Sequence, residues 1–409
     1  MRRTTICSIL ISIALVTLGT HGVEAATSAW PSTNGVIVFR SDRDGRPALY
    51  TIDESGANPA KLTRQGNVSD LQAAWSPDGR RLAFVRKVGE RGRPDLFVAS
   101  AQAKGRSRVT RTPVAERDPA WSPDGTRIAY AARTSASGPL RLFVINQDGT
   151  GKVQLTTQAR GRADRSPVWS PDGSRIAFVT DRDGGFPEIY TINANGTGAR
   201  RLTTNTAVDG NPSWSPDGSR ILVERCCPEG SSDIFSIDLV TGAETNLTNS
   251  TSFMEFDPVW SPDGSRFAFV SFQVNEGNID IWSMSSDGTG LVRLTNSPGP
   301  DLSPDWQPNP TCTIRGTPQN DVLIGTDGND VICALAGDDV VRAGAGHDLV
   351  FGGRGNDELH GEDGSDTLYG EGGDDLLIGG SGYDVLDGGA GTDSCQRGLD
   401  GAFTRNCEV

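Results

Sequence analysis

Residues 169–184 read WSPDGSRIAFVTDRDG, and this stretch decides the fold. Its Pro-Asp-Gly run predicts a tight turn, because proline presets φ at the first central position and glycine accepts a positive φ. Residues 175–179 then alternate in the manner of a β-strand, and Asp-Arg-Asp-Gly predicts a second turn. The stretch therefore predicts short strands separated by sharp turns, without helix.

The Trp-Ser-Pro-Asp-Gly motif is the landmark of an internal repeat. Five copies open at Trp75, Trp121, Trp169, Trp214 and Trp260, and a degenerate copy, WQPNP, opens at Trp306. The spacings between these tryptophans are 46, 48, 45, 46 and 46 residues. A period near 45 is typical of propellers built from four-stranded blades. Within each period, the run before the next tryptophan (residues 211–214, for example) is expected to be the fourth strand.

The repeat count predicts six blades in a closed ring. A Leu-Thr or Val-Thr step recurs six times, at Leu62, Val109, Leu155, Leu202, Leu247 and Leu294. Residues 36–40 lack a preceding motif, and Trp306 lacks following strands, so together they make one blade. We expect these two ends to pair, since closure removes exposed sheet edges.

These motifs, with SDRDG at 41–45 and TDRDG at 180–184, resemble the TolB-type β-propeller repeat over about residues 34–308. The resemblance implies a propeller fold, in which the repeated tryptophans pack between blades and Asp-Gly forms turns. It implies no activity, because the repeat also occurs in propellers attached to serine peptidases and in a few lyases.

A second repeat, of nine residues, begins near residue 316. It places an aspartate every ninth residue and, two positions after nearly every one, an aliphatic residue. The glycines and aspartates are in phase in segments such as GGRGND at 352–357. We predict a parallel β-roll in which six residues turn, three form a strand, and two nonapeptides complete one coil. Turns eighteen residues apart would then stack along the same edge.

Stacked carboxylates and glycine-rich turns indicate a site for a hard cation. Calcium takes about six to eight oxygen ligands, and glycine lets the backbone turn its carbonyls toward an ion. One edge would stack Asp330, Asp348, Asp366 and Asp384, and the other Asp321, Asp339, Asp357, Asp375 and Asp393. Up to about seven ions would fit if each gap held one.

The nonapeptides resemble RTX (repeats-in-toxin) calcium-binding repeats. The resemblance and the turn chemistry together predict the metal-site residues Asp330, Asp339, Asp348, Asp357, Asp366, Asp375, Asp384, Asp393, Gly352, Gly355, Gly361, Gly370, Gly379 and Gly388. The early turns depart from the pattern, so sites near the start are expected to be weak. With one small aliphatic residue per nine as a core, we expect the roll to fold only as calcium binds. A metal-free glycine-rich solenoid is the alternative.

The charge is concentrated in this second repeat. Residues 312–409 hold 15 Asp, 4 Glu and 5 Arg, a net charge of −14 that equals the net charge of the whole chain. This acidity excludes nucleic acid as an expected partner, because phosphate binding needs a basic face.

The N-terminus resembles a secretory signal peptide. Arg2 and Arg3 precede an apolar run of 13 residues at 6–18, and small residues follow at Ala25 and Ala26. The run is too short to span a bilayer. We therefore expect a signal at 1–26, a propeller at 30–310 and a roll at 311–409, in a protein that is secreted or kept in a periplasm or envelope without a membrane anchor.

Six of the seven cysteines remain after signal removal, and an even number in an exported chain favours disulfides. Cys312 with Cys333, and Cys395 with Cys407, would staple the two ends of the roll. Cys226 and Cys227 are then left to pair with each other or to stay as thiols.

No catalytic motif is found. The only histidines past the signal, His347 and His360, lie in the nonapeptides, so the propeller has neither a Ser-His-Asp triad nor a histidine-ligated metal. We predict an all-β, non-enzymatic calcium-binding protein whose propeller holds a protein, peptide or glycan. The alternative is a carbohydrate-active or other hydrolase with a carboxylate site in the propeller channel. A third possibility is that the nonapeptides serve only secretion and folding.

Overall fold

A computed structural model describes residues 32–63, 66–90, 92–157, 162–226, 231–250, 253–273, 277–398 and 401–408. Within these ranges the chain forms 35 strands and no helix. The predicted signal peptide lies outside the described residues. None of the described segments is a helix long and apolar enough to cross a membrane.

The first 24 strands form antiparallel sheets. Four sheets have four strands each. They contain β24 (Asp301–Pro310), β1 (Ser32–Ser41), β2 (Ala48–Ile52) and β3 (Ala60–Lys61); β4 (Val68–Trp75), β5 (Arg81–Val88), β6 (Pro94–Ser100) and β7 (Ser107–Arg108); β8 (Glu116–Trp121), β9 (Arg127–Arg133), β10 (Leu140–Asn146) and β11 (Val153–Gln154); and β12 (Asp164–Trp169), β13 (Arg175–Thr180), β14 (Glu188–Asn193) and β15 (Arg200–Arg201).

The remaining two repeats share one eight-stranded sheet. Its strands are β16 (Val208–Trp214), β17 (Arg220–Cys226), β18 (Ser232–Asp238), β19 (Glu244–Asn246), β20 (Phe253–Trp260), β21 (Arg266–Gln273), β22 (Asn278–Ser285) and β23 (Val292–Arg293). β18 and β20 are joined by a single parallel pair, Ser232 opposite Met254. The propeller class is as predicted. Six separate blades are not seen in the described residues, because only four repeats form sheets of their own.

The ring closes where the sequence predicts. β1 runs antiparallel to β24, with Ile37 opposite Trp306. The prediction that the strand before each tryptophan is the fourth of its own unit is wrong: β16, which ends at Trp214, pairs with β17 and opens the next sheet. The reason is local, because the Pro-Asp-Gly turn joins the two strands it separates into a hairpin.

Each motif tryptophan is buried. In four of them, the arginine that follows the Pro-Asp-Gly turn of the preceding repeat lies over the tryptophan ring. The Arg81 guanidinium lies 5.3 Å from the ring centre of Trp121, and that of Arg127 lies 5.0 Å from Trp169. Arg81 also pairs with Asp78 at 2.9 Å. The cation–π contact ties one sequence repeat to the next.

The C-terminal region is a parallel β-solenoid of two sheets. One contains β25 (Ile314–Arg315), β27 (Val331–Ala336), β29 (Leu349–Arg354), β31 (Thr367–Gly372), β33 (Asp384–Ala390) and β35 (Ala402–Arg405). The other contains β26 (Val322–Ile324), β28 (Val340–Arg342), β30 (Glu358–Asp363), β32 (Leu376–Ser381) and β34 (Ser394–Gln396). Partners are eighteen residues apart, as in Val350 opposite Leu368, so two nonapeptides make one coil.

The roll core is one column of aliphatic side chains. The fully buried members two positions after an aspartate are Ile332, Val341, Val350, Leu359, Leu368, Leu377 and Leu386. Disulfides Cys312–Cys333 and Cys395–Cys407 close its two ends, as expected. The sequence leaves open whether Cys226 and Cys227 pair with each other or stay as thiols. Cys227 lies outside the described residues.

Candidate aspartate ladders and propeller channel

The eight aspartates predicted to bind metal are all buried, at 6% exposure or less. They stack in two ladders, one on each edge of the roll. Along one edge the backbone N–H of Asp348 donates to Asp366 Oδ1 at 2.9 Å, and along the other the N–H of Asp357 donates to Asp375 Oδ1 at 2.8 Å. One carboxylate oxygen of each rung therefore already holds the preceding coil.

The second oxygen of six of these aspartates has no partner in the described part of the chain. The Oδ2 atoms of Asp339, Asp348, Asp357, Asp366, Asp375 and Asp393 are buried without a hydrogen bond. A buried polar atom left unpaired costs about 1–3 kcal/mol, and more when it is charged. Such a repeated cost indicates that something else satisfies these oxygens.

The predicted glycines frame the space that these oxygens face. A Cβ added at Gly352 would lie 2.5 Å from Asp357 Oδ2 and 2.9 Å from the carbonyl oxygen of Gly370 in the next coil. A Cβ at Gly361 would lie 2.5 Å from the carbonyl oxygen of Gly379 and would also contact Asp366. Gly370, Gly379 and Gly388 repeat this arrangement, and Gly355 has φ +122 with the carbonyl of Gly337 against it. Ala334 and Ala343 stand at the same position before Asp339 and Asp348, so the cradle without a side chain belongs to the turns from Gly352 onward.

The first two turns are different, and the sequence indicated this for the first of them, at residues 316–319. Asp321 Oδ2 accepts hydrogen bonds from the backbone and hydroxyl of Thr317, at 2.6 and 2.9 Å. Asp330 Oδ2 accepts the same pair from Thr326, at 2.7 and 2.9 Å. A threonine thus takes the oxygen that stays open in later turns, so the Asp330 site is occupied by the chain itself.

Burial opposes ionisation along both ladders. It raises the pKa of Asp348 to about 7 and that of Asp366 to about 8, with the neighbouring carboxylates as a further cause. The pKa values of Asp357 and Asp375 rise to about 6 for the same reasons. A divalent cation would reverse this balance, because it supplies the opposite charge that the ladders lack.

The donor set fits calcium. Each cradle offers a carboxylate oxygen and backbone carbonyl oxygens, and no nitrogen or sulfur, which is the ligand class of a hard cation. In the described ranges no three acidic, histidine or cysteine side chains converge on one point. Backbone carbonyls would therefore have to supply most of the ligands, and Asp357 with Gly352 and Gly370 shows how a turn could provide them.

A second polar feature lines the propeller channel, a cavity of about 400 Å³. One residue from each repeat unit stands there at a β-bulge: Gln72, Asp118, Ser166, Asn211, Asp257 and Ser303. We call this set the channel ring. Asp118 accepts hydrogen bonds from Gln72 and from the backbone of Ser166 at 3.1 Å. Asn211 donates to Asp257 at 2.5 Å.

The channel ring is acidic. Asp118 and Asp257 lie three repeats apart, and Asp305 also lines the cavity. Burial, followed by the charge of Glu224, raises the pKa of Asp257 to about 7, and burial raises that of Asp305 to about 7. The sequence prediction missed this ring, although its members stand three residues before each motif tryptophan. Their differing residue types concealed the regularity.

The fold and ladders define the class of protein: an all-β propeller joined to a parallel roll with repeated calcium-type turns. Residues 53–252 match the TolB beta propeller domain. Residues 313–341, 324–359, 342–377 and 369–399 match the RTX calcium-binding nonapeptide repeat. The chain thus resembles a TolB-type propeller followed by RTX-type repeats, the second of which is a family described as calcium-binding.

Similar proteins support the propeller. The Tol-Pal system protein TolB of Desulfosudis oleivorans is 37% identical over 62 residues, which cover 15% of this chain and 14% of that protein. The crystal structure of TolB from Acinetobacter baumannii has a TM-score of 0.58 at 24% identity, covering 67% of this chain and 66% of that one. Hydrazine synthase of Kuenenia stuttgartiensis has a TM-score of 0.57 at 13% identity, covering 69% and 48%. These structural likenesses show the fold alone, and the matched parts are less than two thirds of each relative.

Proposed function

We propose that this chain is a secreted calcium-binding protein whose roll folds as calcium binds and whose propeller is a platform for a protein, peptide or glycan. The observation that carries the calcium part is the set of six buried Asp Oδ2 atoms without a partner in the described residues, four of which lie beside glycine cradles. The narrow aliphatic column of the roll supports the folding part, since so little apolar burial opposes the ordering of a long chain.

Under this proposal the predicted metal residues fall into two groups, those that would hold calcium and those that serve the turn. Asp339, Asp348, Asp357, Asp366, Asp375, Asp384 and Asp393 would hold calcium through the second carboxylate oxygen, with Gly352, Gly361, Gly370, Gly379 and Gly388 leaving room for it. Asp330 would serve the turn through Thr326. Bound calcium would supply positive charge, while the Oδ1 atoms keep each coil in register.

We also count six blades in the propeller. Six threonines of the Leu-Thr or Val-Thr steps accept the same hydrogen bond, from the backbone of Leu49, Leu96, Leu142, Ile189, Ile234 and Ile281. The eight-stranded sheet holds two of these units and is joined by one residue pair. It therefore corresponds to two adjacent blades in contact.

The test is a calcium titration of the whole mature chain, started in chelator, with hydrogen exchange followed peptide by peptide. We expect protection of residues 322–396 to rise between micromolar and millimolar calcium and to stay low with magnesium. A roll that is equally protected in chelator, or unprotected at millimolar calcium, would contradict the proposal. Sequencing the N-terminus of exported material tests secretion, for which we expect cleavage near Ala25–Ala26.

A second candidate is a hydrolase with a carboxylate site in the channel. Asp118 and Asp257 favour it, because both carboxyl groups face one cavity and burial raises the pKa of each. If the protein releases new reducing ends from soluble polysaccharides, Asp257→Asn should abolish that release. Binding of a glycan or peptide without turnover would favour the platform instead.

A further inference from the structure

Each propeller unit buries one carboxylate at the same register position of its innermost strand. These residues are Asp70, Glu116, Asp164, Asp209, Glu255 and Asp301, and none is more than 3% exposed. Beside five of them, facing strands bring two aromatic rings together: Phe84 and Phe97, Tyr130 and Phe143, Phe178 and Tyr190, Phe269 and Trp282, and Phe39 and Tyr50. A buried carboxylate next to aromatic faces is an environment for a cation.

Four units fill this environment with their own arginine. Arg86 and Arg225, which face the acid across the strand pair, contact Asp70 at 2.6 Å and Asp209 at 2.7 Å. Arg43 and Arg182, two residues further along, contact Asp301 at 3.1 Å and Asp164 at 3.4 Å.

The same guanidinium groups lie over the rings. That of Arg43 is 4.6 Å from the Tyr50 ring centre, that of Arg182 is 4.8 Å from Tyr190, and that of Arg225 is 4.4 Å from Phe235. In the unit formed by β8–β11, Lys152 takes the place of the arginine. Its Nζ lies 4.5 Å from the centre of the Phe143 ring, near Glu116. Five of the six units thus supply a cation from their own sequence.

The unit formed by β20–β23 keeps the acid and the rings but has no such cation. Ser271 faces Glu255, and Gln273 stands two residues further on, so both arginine positions are uncharged. Leu291 stands where Lys152 stands in its own unit. A cavity of about 330 Å³ takes the place of the missing side chain.

The lining of the cavity repeats the cation-binding group of the other units. It includes Glu255, Phe269, Ser271, Gln273 and Trp282, and no lysine or arginine is among its described residues. Glu255 Oε2 is buried and accepts no hydrogen bond from the described residues, while the carboxyl group is otherwise hydrogen-bonded to the side chains of Thr248, Ser250 and Asp233. Burial, followed by the charge of Asp233, raises the pKa of Glu255 to about 8.

The basic side chain that lies over the Trp282 ring is already engaged elsewhere. Arg293 lies 5.8 Å from the Trp282 ring centre, but its guanidinium pairs with Asp280 at 2.6 Å and it does not line the cavity. Lys61 stands at the position equivalent to Arg293, on the outermost strand of the first sheet. In that sheet Arg43 nevertheless occupies the space between Asp301 and the aromatic rings.

We propose that the cavity between Glu255, Phe269 and Trp282 binds the guanidinium group of a ligand, which is either a small molecule or an arginine side chain of a partner. The carboxylate would accept the N–H groups, and the two rings would cover the planar face, as the chain's own arginines show in the neighbouring units. This site is separate from the calcium ladders and the channel ring, and does not depend on the function proposed for either.

Calorimetric titration of the calcium-loaded full chain tests the proposal, with agmatine as the small-molecule probe and an arginine-containing peptide as the second probe. The neutral control is 1-butylurea, which has a planar group of the same shape without the charge. We expect agmatine or the peptide to bind and the urea not to bind. Binding of the peptide alone would identify a partner side chain as the occupant.

Two variants locate the site. Glu255→Gln should weaken binding by at least about tenfold, because a charge-assisted pair is lost. Ser271→Arg restores the arginine that faces the acid in two other units, and it should abolish binding while raising the melting temperature of the propeller. The proposal is wrong if neither probe binds the wild-type chain, or if the Ser271→Arg protein binds as well as wild type.

Discussion

Each ladder aspartate of the roll uses its two carboxylate oxygens differently. Oδ1 accepts the backbone N–H of the previous coil, and in six of them Oδ2 is buried without a partner in the described residues. In Asp357, Asp366, Asp375 and Asp393 this oxygen faces a glycine. The register of the solenoid is therefore built by the chain, whereas the charge of the ladder has to be balanced by something that binds.

Gly361→Ala tests the cradle at this scale. The added methyl group would contact Asp366 and lie 2.5 Å from the Gly379 carbonyl oxygen, so we expect calorimetry to show about one fewer calcium ion bound, or affinity at least about tenfold lower at that site. Gly372→Ala is the matched control, because its nearest contact would be the Gly353 carbonyl oxygen at 3.8 Å. Equal calcium binding by both variants would show that calcium does not need the space at Gly361.

Asp305 gives a pH prediction. Burial raises its pKa in the folded state to about 7, against about 3.9 for an unfolded chain, so between these values the folded state holds a proton that the unfolded state has released. The free energy of unfolding should therefore fall as pH rises from about 4 to about 7. Asp305→Asn should remove part of this slope and stabilise the propeller at pH 8, by a few kcal/mol at most. Denaturant unfolding at pH 5 and pH 8 measures it, and an unchanged slope would contradict it.

Among the elements, the terminal coils of the roll are the ones the chain secures covalently. Cys312–Cys333 and Cys395–Cys407 span 21 and 12 residues of sequence. They hold β25 and β34, which are end strands of the two sheets; beyond β34 the described residues make only a single bridge, between Ser394 and Glu408. A repeat array lacks neighbours at its ends, so those coils open first unless they are capped.

Replacing Cys395 and Cys407 with serine should lower the stability of the calcium-loaded roll by about 2–3 kcal/mol, the scale expected for a loop of this length. Thermal unfolding in saturating calcium measures the loss, and hydrogen exchange should locate it in β34 and β35. The propeller strands should keep their protection. A loss spread evenly over both domains would show that the last coil does not unfold separately.

Across the whole molecule, two of the described propeller turns contact the roll. Asp148 accepts a hydrogen bond from the Tyr383 hydroxyl at 3.2 Å, and the turn at Arg80 makes the more extensive contact. The Arg80 guanidinium lies 4.2 and 4.3 Å from the ring centres of Phe351 and Tyr369, and it pairs with Glu371 at 2.6 Å. The Tyr369 hydroxyl donates to buried Asp78. The other complete motif copies have serine or threonine where this one has Arg80, so the contact belongs to one repeat only.

Arg80→Ser should therefore uncouple the two domains. In the wild-type chain we expect calcium to raise the melting temperature of the propeller, because binding that orders the roll also stabilises what it docks on. The variant should lose most of that increase and keep its calcium affinity within a few-fold. Arg111→Ser, at an exposed arginine, is the control. An unchanged calcium effect in the Arg80 variant would show that the contact carries no coupling.

The sequence by itself determined the architecture, because both repeats depend on local chemistry. Pro-Asp-Gly turns at a period near 46 define hairpins and thus a propeller, and Asp in every ninth position defines coils and their two edges. The pairing of residues 36–40 with the strand at Trp306 also followed, since an unpaired sheet edge is costly.

Only the tertiary structure decided what depends on residues far apart in the chain. It assigned the strand before each tryptophan to the next sheet, showed that threonines occupy the early aspartates, and brought Arg80 onto Phe351 and Tyr369. It also revealed that the Glu255 unit lacks the cation that its neighbours have. A repeat fixes where a side chain points, but whether its charge is paired depends on three-dimensional neighbours that no local pattern specifies.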